Sequence, residues 1–241
     1  MYVAVDDTDS TEGSCTTFLA TEFIRELSDL NLIGNPRLVR LNPAVPWKTR
    51  GNGSLIMRFG KGLGEKRKIG NIGGRDIFCY DRASGWEPDM DGTLKRLIPL
   101  VDANHEDSAD PGVVVSLKKP SQSFYWGGVR TIMDRGDVEN EIRRIGAMKY
   151  ELGCGRGIIG CTCGMAWRPS DSTYELLTYR PRARWGTDRI FEPDTIREAE
   201  YEITSSFNSW EDRAGKVAMV PATHCPIMYG FRADDPDDLF R

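Results

Sequence analysis

Asp6, Asp7 and Asp9 place three carboxylates within four residues, on a turn that follows the apolar run at the head of VAVDDTDSTEGSCTT, residues 3–17. Like charges this close repel and raise one another's pKa, so the group is costly unless a divalent cation or backbone donors offset it. Magnesium suits such a site, because it is a hard ion that takes one or two carboxylates and fills the rest of its sphere with phosphate oxygens and water. Hydroxyls accompany the acids at Thr8, Ser10, Thr11, Ser14, Thr16 and Thr17, and Gly13 lets the backbone approach a ligand. A turn that merely caps the following helix is the alternative reading, but a cap needs one acid and this turn has three.

Cations appear on two glycine-rich segments. NPAVPWKTRGNG, residues 42–53, carries Lys48 and Arg50 between Pro46 and the Gly51-Asn52-Gly53 triplet. GCGRGIIG, residues 153–160, sets Arg156 between Gly155 and Gly157. Proline fixes an extended approach and glycine opens the backbone, so amides and cations can meet an anion together. Acids for a metal and cations for phosphate are the two halves of a nucleoside triphosphate site. The candidate metal ligands are therefore Asp6, Asp7 and Asp9. Lys48, Arg50 and Arg156 are the candidate phosphate-binding and catalytic cations, and Thr8, Ser10, Thr17, Gly51, Asn52, Gly53, Gly155 and Gly157 complete the ATP-binding set. Neither a Walker A sequence nor a G-x-G-x-x-G fingerprint is present.

These residues need elements to hold them. YVAV predicts a short buried strand, and TTFLATEFIRELSDL an amphipathic helix with apolar residues at 18, 19, 23, 24 and 27. RLVRLNP and SLIMRF read as strands, GKGLGEKRKIGNIGG as a basic loop, DGTLKRLIPLVDAN as a helix and GVVVSL as a β-branched strand. Residues 133–153 read as helical, and TYELLTYR, EAEYEITSSF, KVAMVP and CPIMYGFR as strands. Strands and helices out of strict alternation indicate an α+β fold.

The chain has 241 residues, 39% of them hydrophobic and 28% charged, enough for one large or two modest domains. No apolar run reaches the roughly 20 residues of a membrane span, and residues 1–20 carry acids where a signal peptide is basic and apolar, so a cytoplasmic, membrane-free protein is expected. Six cysteines lack paired C-x-x-C spacing, and Cys154, Cys161 and Cys163 read as small residues in a tight core. The net charge of −4 conceals a local excess: residues 45–75 hold eight Lys or Arg against Glu65 alone, and Arg180, Arg182, Arg184 and Arg189 cluster with Tyr179 and Trp185. Basic segments with interleaved aromatics can follow a phosphate backbone and stack bases, although a solvated basic face gives the same pattern.

The ordered set DDTDS, CTT, RLVRLNPAVPWKTRGNG, DPGVVV, GRGIIG, YRPRARWGT, SFNS and CPIMYGFR resembles the archaeal tRNA 2-agmatinylcytidine synthase family from Tyr2 to about Arg232. The resemblance implies an unusual kinase-like ATP-binding domain using ATP and Mg2+, followed by a ferredoxin-like domain, an OB-fold and a zinc ribbon. It implies a ligase that forms a C–N bond: ATP activates C2 of the wobble cytidine in the AUA-reading isoleucine tRNA, and the amine of agmatine displaces phosphate. It also selects Thr16 as a self-phosphorylated residue, where Cys15 and Thr17 would serve equally on chemistry alone. A tRNA-binding module without catalysis and an ATP-dependent small-molecule kinase are the competing readings. The expected division is discontinuous, with 1–55 and 118–195 kinase-like and 56–117 and 196–241 ferredoxin-like. Phe207–Asn208 and Tyr229–Gly230 are candidate agmatine walls, and His224 is a candidate base or a loop histidine. ADDPDDLFR predicts a helix from Pro236 that stops after about one and a half turns, and a fragment of a longer synthase is expected.

Overall fold

The computed structural model describes residues 1–10, 13–42, 45–49, 51–72, 75–168, 172–178 and 217–223. In chain order the elements are β1 (Tyr2–Asp6), α1 (Thr16–Glu26), β2 (Asn31–Ile33), β3 (Arg37–Arg40), β4 (Gly53–Gly60), β5 (Gly62–Ile72) and β6 (Arg75–Ala83). They continue with α2 (Met90–Asn104), β7 (Gly112–Ser116), α3 (Gln122–Arg130), α4 (Arg135–Ile145), β8 (Met148–Glu151), α5 (Gly157–Met165), β9 (Ser172–Thr178) and β10 (Val217–Thr223). The strands form one mixed sheet with the order β5-β6-β2-β4-β1-β7-β8.

β1 explains the architecture. Successive side chains of a strand point to opposite faces, and here Val3 and Val5 on one face and Ala4 on the other are all fully buried. A strand covered on both sides needs an unbroken apolar run, which YVAV and the VVV of β7 provide. Val3 and Val5, with Val113 and Val115 of β7, pack against Leu19, Phe23 and Leu27 from α1 and its end, and Leu94, Leu97 and Val101 of α2. Ala4 and Val114 face Tyr125 of α3, Val138 and Ile142 of α4, and Ile158 and Met165 of α5. The result is a sheet between two helical layers. A fully buried leucine such as Leu97 contributes about 2–3 kcal/mol to each such seam.

β4 serves two neighbours along one edge. Its first half pairs with β3, Gly53 opposite Arg40 and Ile56 opposite Arg37, and its last residues pair with β2, Phe59 opposite Leu32. β3 in turn takes β10 as a parallel partner, Leu38 opposite Ala222, and β10 is antiparallel to β9.

The largest departure from the expected elements is at GKGLGEKRKIGNIGG. It is the strand β5, antiparallel to β6 with Lys66 opposite Tyr80 and Lys68 opposite Phe78. Glycines and adjacent charges hide its period of two, and two register shifts, at Leu63/Lys66 and Lys68/Gly70, absorb the irregular spacing. A strand at the sheet edge also tolerates lysines that discourage further pairing. Residues 133–153 divide into α4 and β8, because Gly146 adopts φ 68°, a left-handed stop, after the helix. β2, β6, α3 and α5 were not expected. Arg50, the arginine cluster at 180–189, the strands EAEYEITSSF and CPIMYGFR, residues 207–208, His224, residues 229–230 and the helix from Pro236 lie outside the described residues.

Candidate active site

Antiparallel pairing sets Asp6 opposite Gly112, so the exit of β1 and the entry of β7 share one end of the sheet. α5 starts at the same end. A methyl group on Gly157 would lie 2.2 Å from Gly112 N and 2.8 Å from Asp6 O, so the helix reaches the sheet only because the residue is glycine. Gly157 is thus committed to packing. The β3–β4 connection closes the other side, and together these segments form a cleft of about 120 Å³ lined by Asp6, Asp7, Asp9, Lys48, Gly51, Asn52, Gly53 and Arg156, with Trp47 and Thr131 to Met133 at its margin.

Within the cleft the backbone turns sharply at Asp7, whose φ is 56°, and the Asp7 N–H donates to Asp6 Oδ1 at 2.7 Å. Aspartate tolerates this left-handed conformation better than most residues. Burial first, and then the neighbouring Asp7 carboxylate, push the Asp6 carboxyl well above its ordinary range. Burial also raises Asp7, to about 6; Arg156 opposes the shift, while Asp110 and Asp9 add to it. Asp110 moves the other way. Its burial is outweighed by Cys154, whose thiol hydrogen-bonds the carboxylate and whose N–H donates to Oδ1 at 2.5 Å, and by the Arg156 guanidinium paired with Oδ2.

Arg156 joins these groups. It lies 3.8 Å from Asp7 Oδ2 through Nε, pairs with Asp110 through Nη2, and has Trp47 stacked 5.1 Å from its guanidinium carbon. Its buried Nε has no hydrogen-bond acceptor among the described residues. Among the described residues no three His, Cys, Asp or Glu side chains form a ready-made metal shell. The donor set still fits Mg2+, which needs only one or two carboxylates when phosphate and water supply the other oxygens.

Apart from Lys48, the other described sequence candidates for the site do not line the cleft. Thr16, the first residue of α1, is buried; its hydroxyl accepts from Thr8 Oγ1 at 2.9 Å and donates to Asp9 Oδ1 at 3.4 Å. Thr17 pairs with Cys15 Sγ at 2.9 Å, and the Ser10 N–H donates to Gly13 O at 3.0 Å. Gly155 adopts φ 71° beside Glu151. Lys48 is exposed at the cleft. Cys161 and Cys163 are fully buried core residues, while Cys154 is exposed. Asp110 and Trp47 were not singled out as site residues. Asp-Pro-Gly immediately before a β-branched strand was the available signal for Asp110, since it marks a strand entry like the strand exit at Asp6.

Comparison with known proteins agrees with this arrangement. Residues 2–154 match the family model of the TiaS TCKD domain, and residues 155–241 that of the TiaS FLD domain. The two matches meet at Cys154 and Gly155. The tRNA 2-agmatinylcytidine synthetase TiaS of Thermoplasma volcanium is 33% identical over 241 residues, covering 96% of this chain and 53% of that protein. Its counterpart in Methanopyrus kandleri is 31% identical over 248 residues, covering 99% and 51%. A crystal structure of a TiaS–tRNA–ATP complex shares the fold, with a TM-score of 0.64, 22% identity, and coverage of 92% of this chain and 52% of that one. The chain spans about half the length of the curated relatives it matches. No helix among the described residues is long and apolar enough to cross a membrane. With 153 consecutive residues matched by the first domain and the remainder by the second, the chain belongs to the TiaS family.

Proposed function

We propose that this chain carries the ATP-using chemistry of agmatine ligation to C2 of the wobble cytidine in the AUA-reading isoleucine tRNA, acting in the cytoplasm through a kinase-like and a ferredoxin-like module. In the reaction ATP transfers a phosphoryl group to the C2 oxygen. The primary amine of agmatine then forms the new C–N bond, phosphate leaves with that oxygen, and the amine loses a proton. The observation that carries this reading is the convergence of Asp6, Asp7 and Asp9 with Lys48, the Gly51–Gly53 backbone and Arg156 on one cleft.

Each group has a defined task. Lys48 and the Arg156 guanidinium meet phosphate oxygens, and the Gly51–Gly53 backbone allows close approach. Asp110 holds Arg156 from the far side and Trp47 covers its face, so the guanidinium is oriented before ATP arrives. Asp6, Asp7 and Asp9 would hold Mg2+, which when bound neutralises charge on the transferred phosphoryl group. The Thr8–Thr16–Asp9 hydrogen-bond chain ties the Thr16 hydroxyl to the acid turn, which supports Thr16 as the phosphoacceptor.

Thr16 gives the direct test. Incubation with ATP labelled at the γ-phosphate should label the protein, and Thr16→Val should remove the label while leaving the melting temperature within a few degrees. Mass spectrometry placing the phosphate on Thr17 or Ser14 would move the acceptor. Absence of both labelling and ATP turnover in the wild-type chain would refute the reading.

A further inference from the structure

At the end of α5 away from the cleft, four cations gather around two aromatic rings. Arg37 stacks on Trp167 at 4.8 Å, Arg58 lies over Tyr2 at 5.6 Å, and Lys119 lies 5.5 Å from the Tyr2 ring and 5.6 Å from that of Trp167. Arg168 completes the group, donating to Ala166 O at 2.5 Å and Pro120 O at 2.7 Å. Tyr2 opens β1 and Asp6 closes it, so the cations and the carboxylates occupy opposite ends of the same strand. The nine residues of α5 set the separation at about 14 Å.

Helix capping accounts for part of this charge and leaves the rest unexplained. The C-terminus of a helix carries about half a negative charge, and Lys119, which donates to Trp167 O at 2.7 Å, offsets it together with Arg168. Lys119 retains two further N–H donors, and Arg58 is exposed beside it. The basic strand β5 differs, because its lysine and arginine meet acids from β6: Lys68 with Asp76 at 2.8 Å and Arg67 with Asp81 at 3.6 Å. Around Lys119, burial first and then the guanidinium groups of Arg168, Arg37 and Arg58 lower the ammonium pKa to about 8. The rings are covered by these cations and hold them in place, and a positive basin with an exposed arginine at its rim suits a phosphodiester oxygen.

We infer that Arg58 and Lys119 form a second anion site, separate from the ATP cleft, which takes a backbone phosphate of the substrate RNA. This rests on the tRNA reading above. The test is tRNA binding by the full chain across a salt series, with Arg58→Gln as the primary variant because its side chain is exposed, and Lys119→Gln as the second, each checked by thermal melting. Loss of one phosphate contact should weaken binding roughly fivefold near 0.15 M salt and lower the slope of log K against log salt by about one. ATP affinity and self-labelling should be unchanged.

Wild-type binding that Arg58→Gln leaves equal in affinity and slope would overturn the basin alone. Absence of tRNA binding by the wild-type chain would overturn the tRNA reading with it. A calorimetric arm with inorganic phosphate distinguishes the source of the anion: saturable phosphate binding that Arg58→Gln removes, with RNA binding unaffected, would assign the basin to free phosphate and refute the RNA assignment.

Discussion

Asp7→Asn should reduce magnesium-dependent ATP turnover by on the order of a hundredfold or more, the scale seen when one preorganised electrostatic contact is removed from a reacting phosphate or oxyanion. The fold should survive the change. Asparagine accepts the left-handed backbone at φ 56° as readily as aspartate, and an amide fills the same volume. Stability should rise slightly, for a reason that can be followed with pH. Burial raises the Asp7 pKa from 3.8 to about 6 in the folded chain, so ionised Asp7 opposes folding. That cost is absent below pH 3.8, grows as pH climbs through the interval, and is complete above 6. At about 1.4 kcal/mol per pKa unit it amounts to no more than about 3 kcal/mol, a net figure that already contains the opposing pull of Arg156. The melting temperature of Asp7→Asn should therefore exceed that of the wild type at pH 7, and the gap should close toward pH 4. Undiminished turnover in Asp7→Asn across a magnesium titration would remove Asp7 from the site.

Gly160→Ala should damage stability and activity together. A Cβ at this position would lie 1.6 Å from Asp6 Oδ2 and 2.7 Å from Asp6 Cγ. The carboxylate has little room to yield, since the residue is buried and its other oxygen accepts the Asp7 N–H. Either Asp6 rotates and breaks that bond, or α5 lifts from the sheet and carries Arg156 with it. Overpacking of this kind costs about 1–3 kcal/mol or more, and both outcomes disassemble the cleft. Two controls set the scale: Gly164→Ala meets Ser54 Cβ at 3.0 Å and should cost less, while Gly85→Ala meets nothing within 4 Å and should be nearly neutral. Calorimetric melting with parallel ATP turnover would separate them. A Gly160→Ala chain as stable and active as Gly85→Ala would mean that α5 does not need its close approach.

The acid turn was legible because the chemistry lies in adjacent residues; Asp6, Asp7 and Asp9 announce themselves by number and kind. The cations of NPAVPWKTRGNG and GRGIIG were legible as types, and their convergence on one cleft followed only from the sheet. Asp110 escaped because its meaning depends on β1 pairing with β7 across more than a hundred residues of sequence. Trp47 gains its meaning only from its ring standing against Arg156, a contact the sequence does not show. In the fold, the periodic elements β1, α1, α2 and β7 were readable, since burial on one or both faces imposes their pattern. β2, with three residues, is too short for a pattern. β5 is decided by its partner, and its charge count alone misleads: the excess of lysine and arginine at 45–75 is partly cancelled by Asp76 and Asp81, which lie just outside that window and alongside it in space.

The parallel pairing of β3 with β10 sets an order of events during synthesis. Leu38 waits for Ala222, a separation of 184 residues, while β4 on its other edge is only about 15 residues away in sequence. At a translation rate of roughly 5–20 residues per second, the outer edge of β3 stays open for on the order of ten seconds or longer after it leaves the ribosome. Contacts of such long range also form late in refolding, because the loop entropy precedes any gain from the pairing. Pulsed hydrogen exchange should therefore protect β1, β4, β7 and the β4-facing amides of β3 before β10 and the outer-edge amides of β3, and simultaneous protection would contradict this order. The nascent chain would then complete the carboxylate-bearing end of its sheet first and seal the seam with its C-terminal half last.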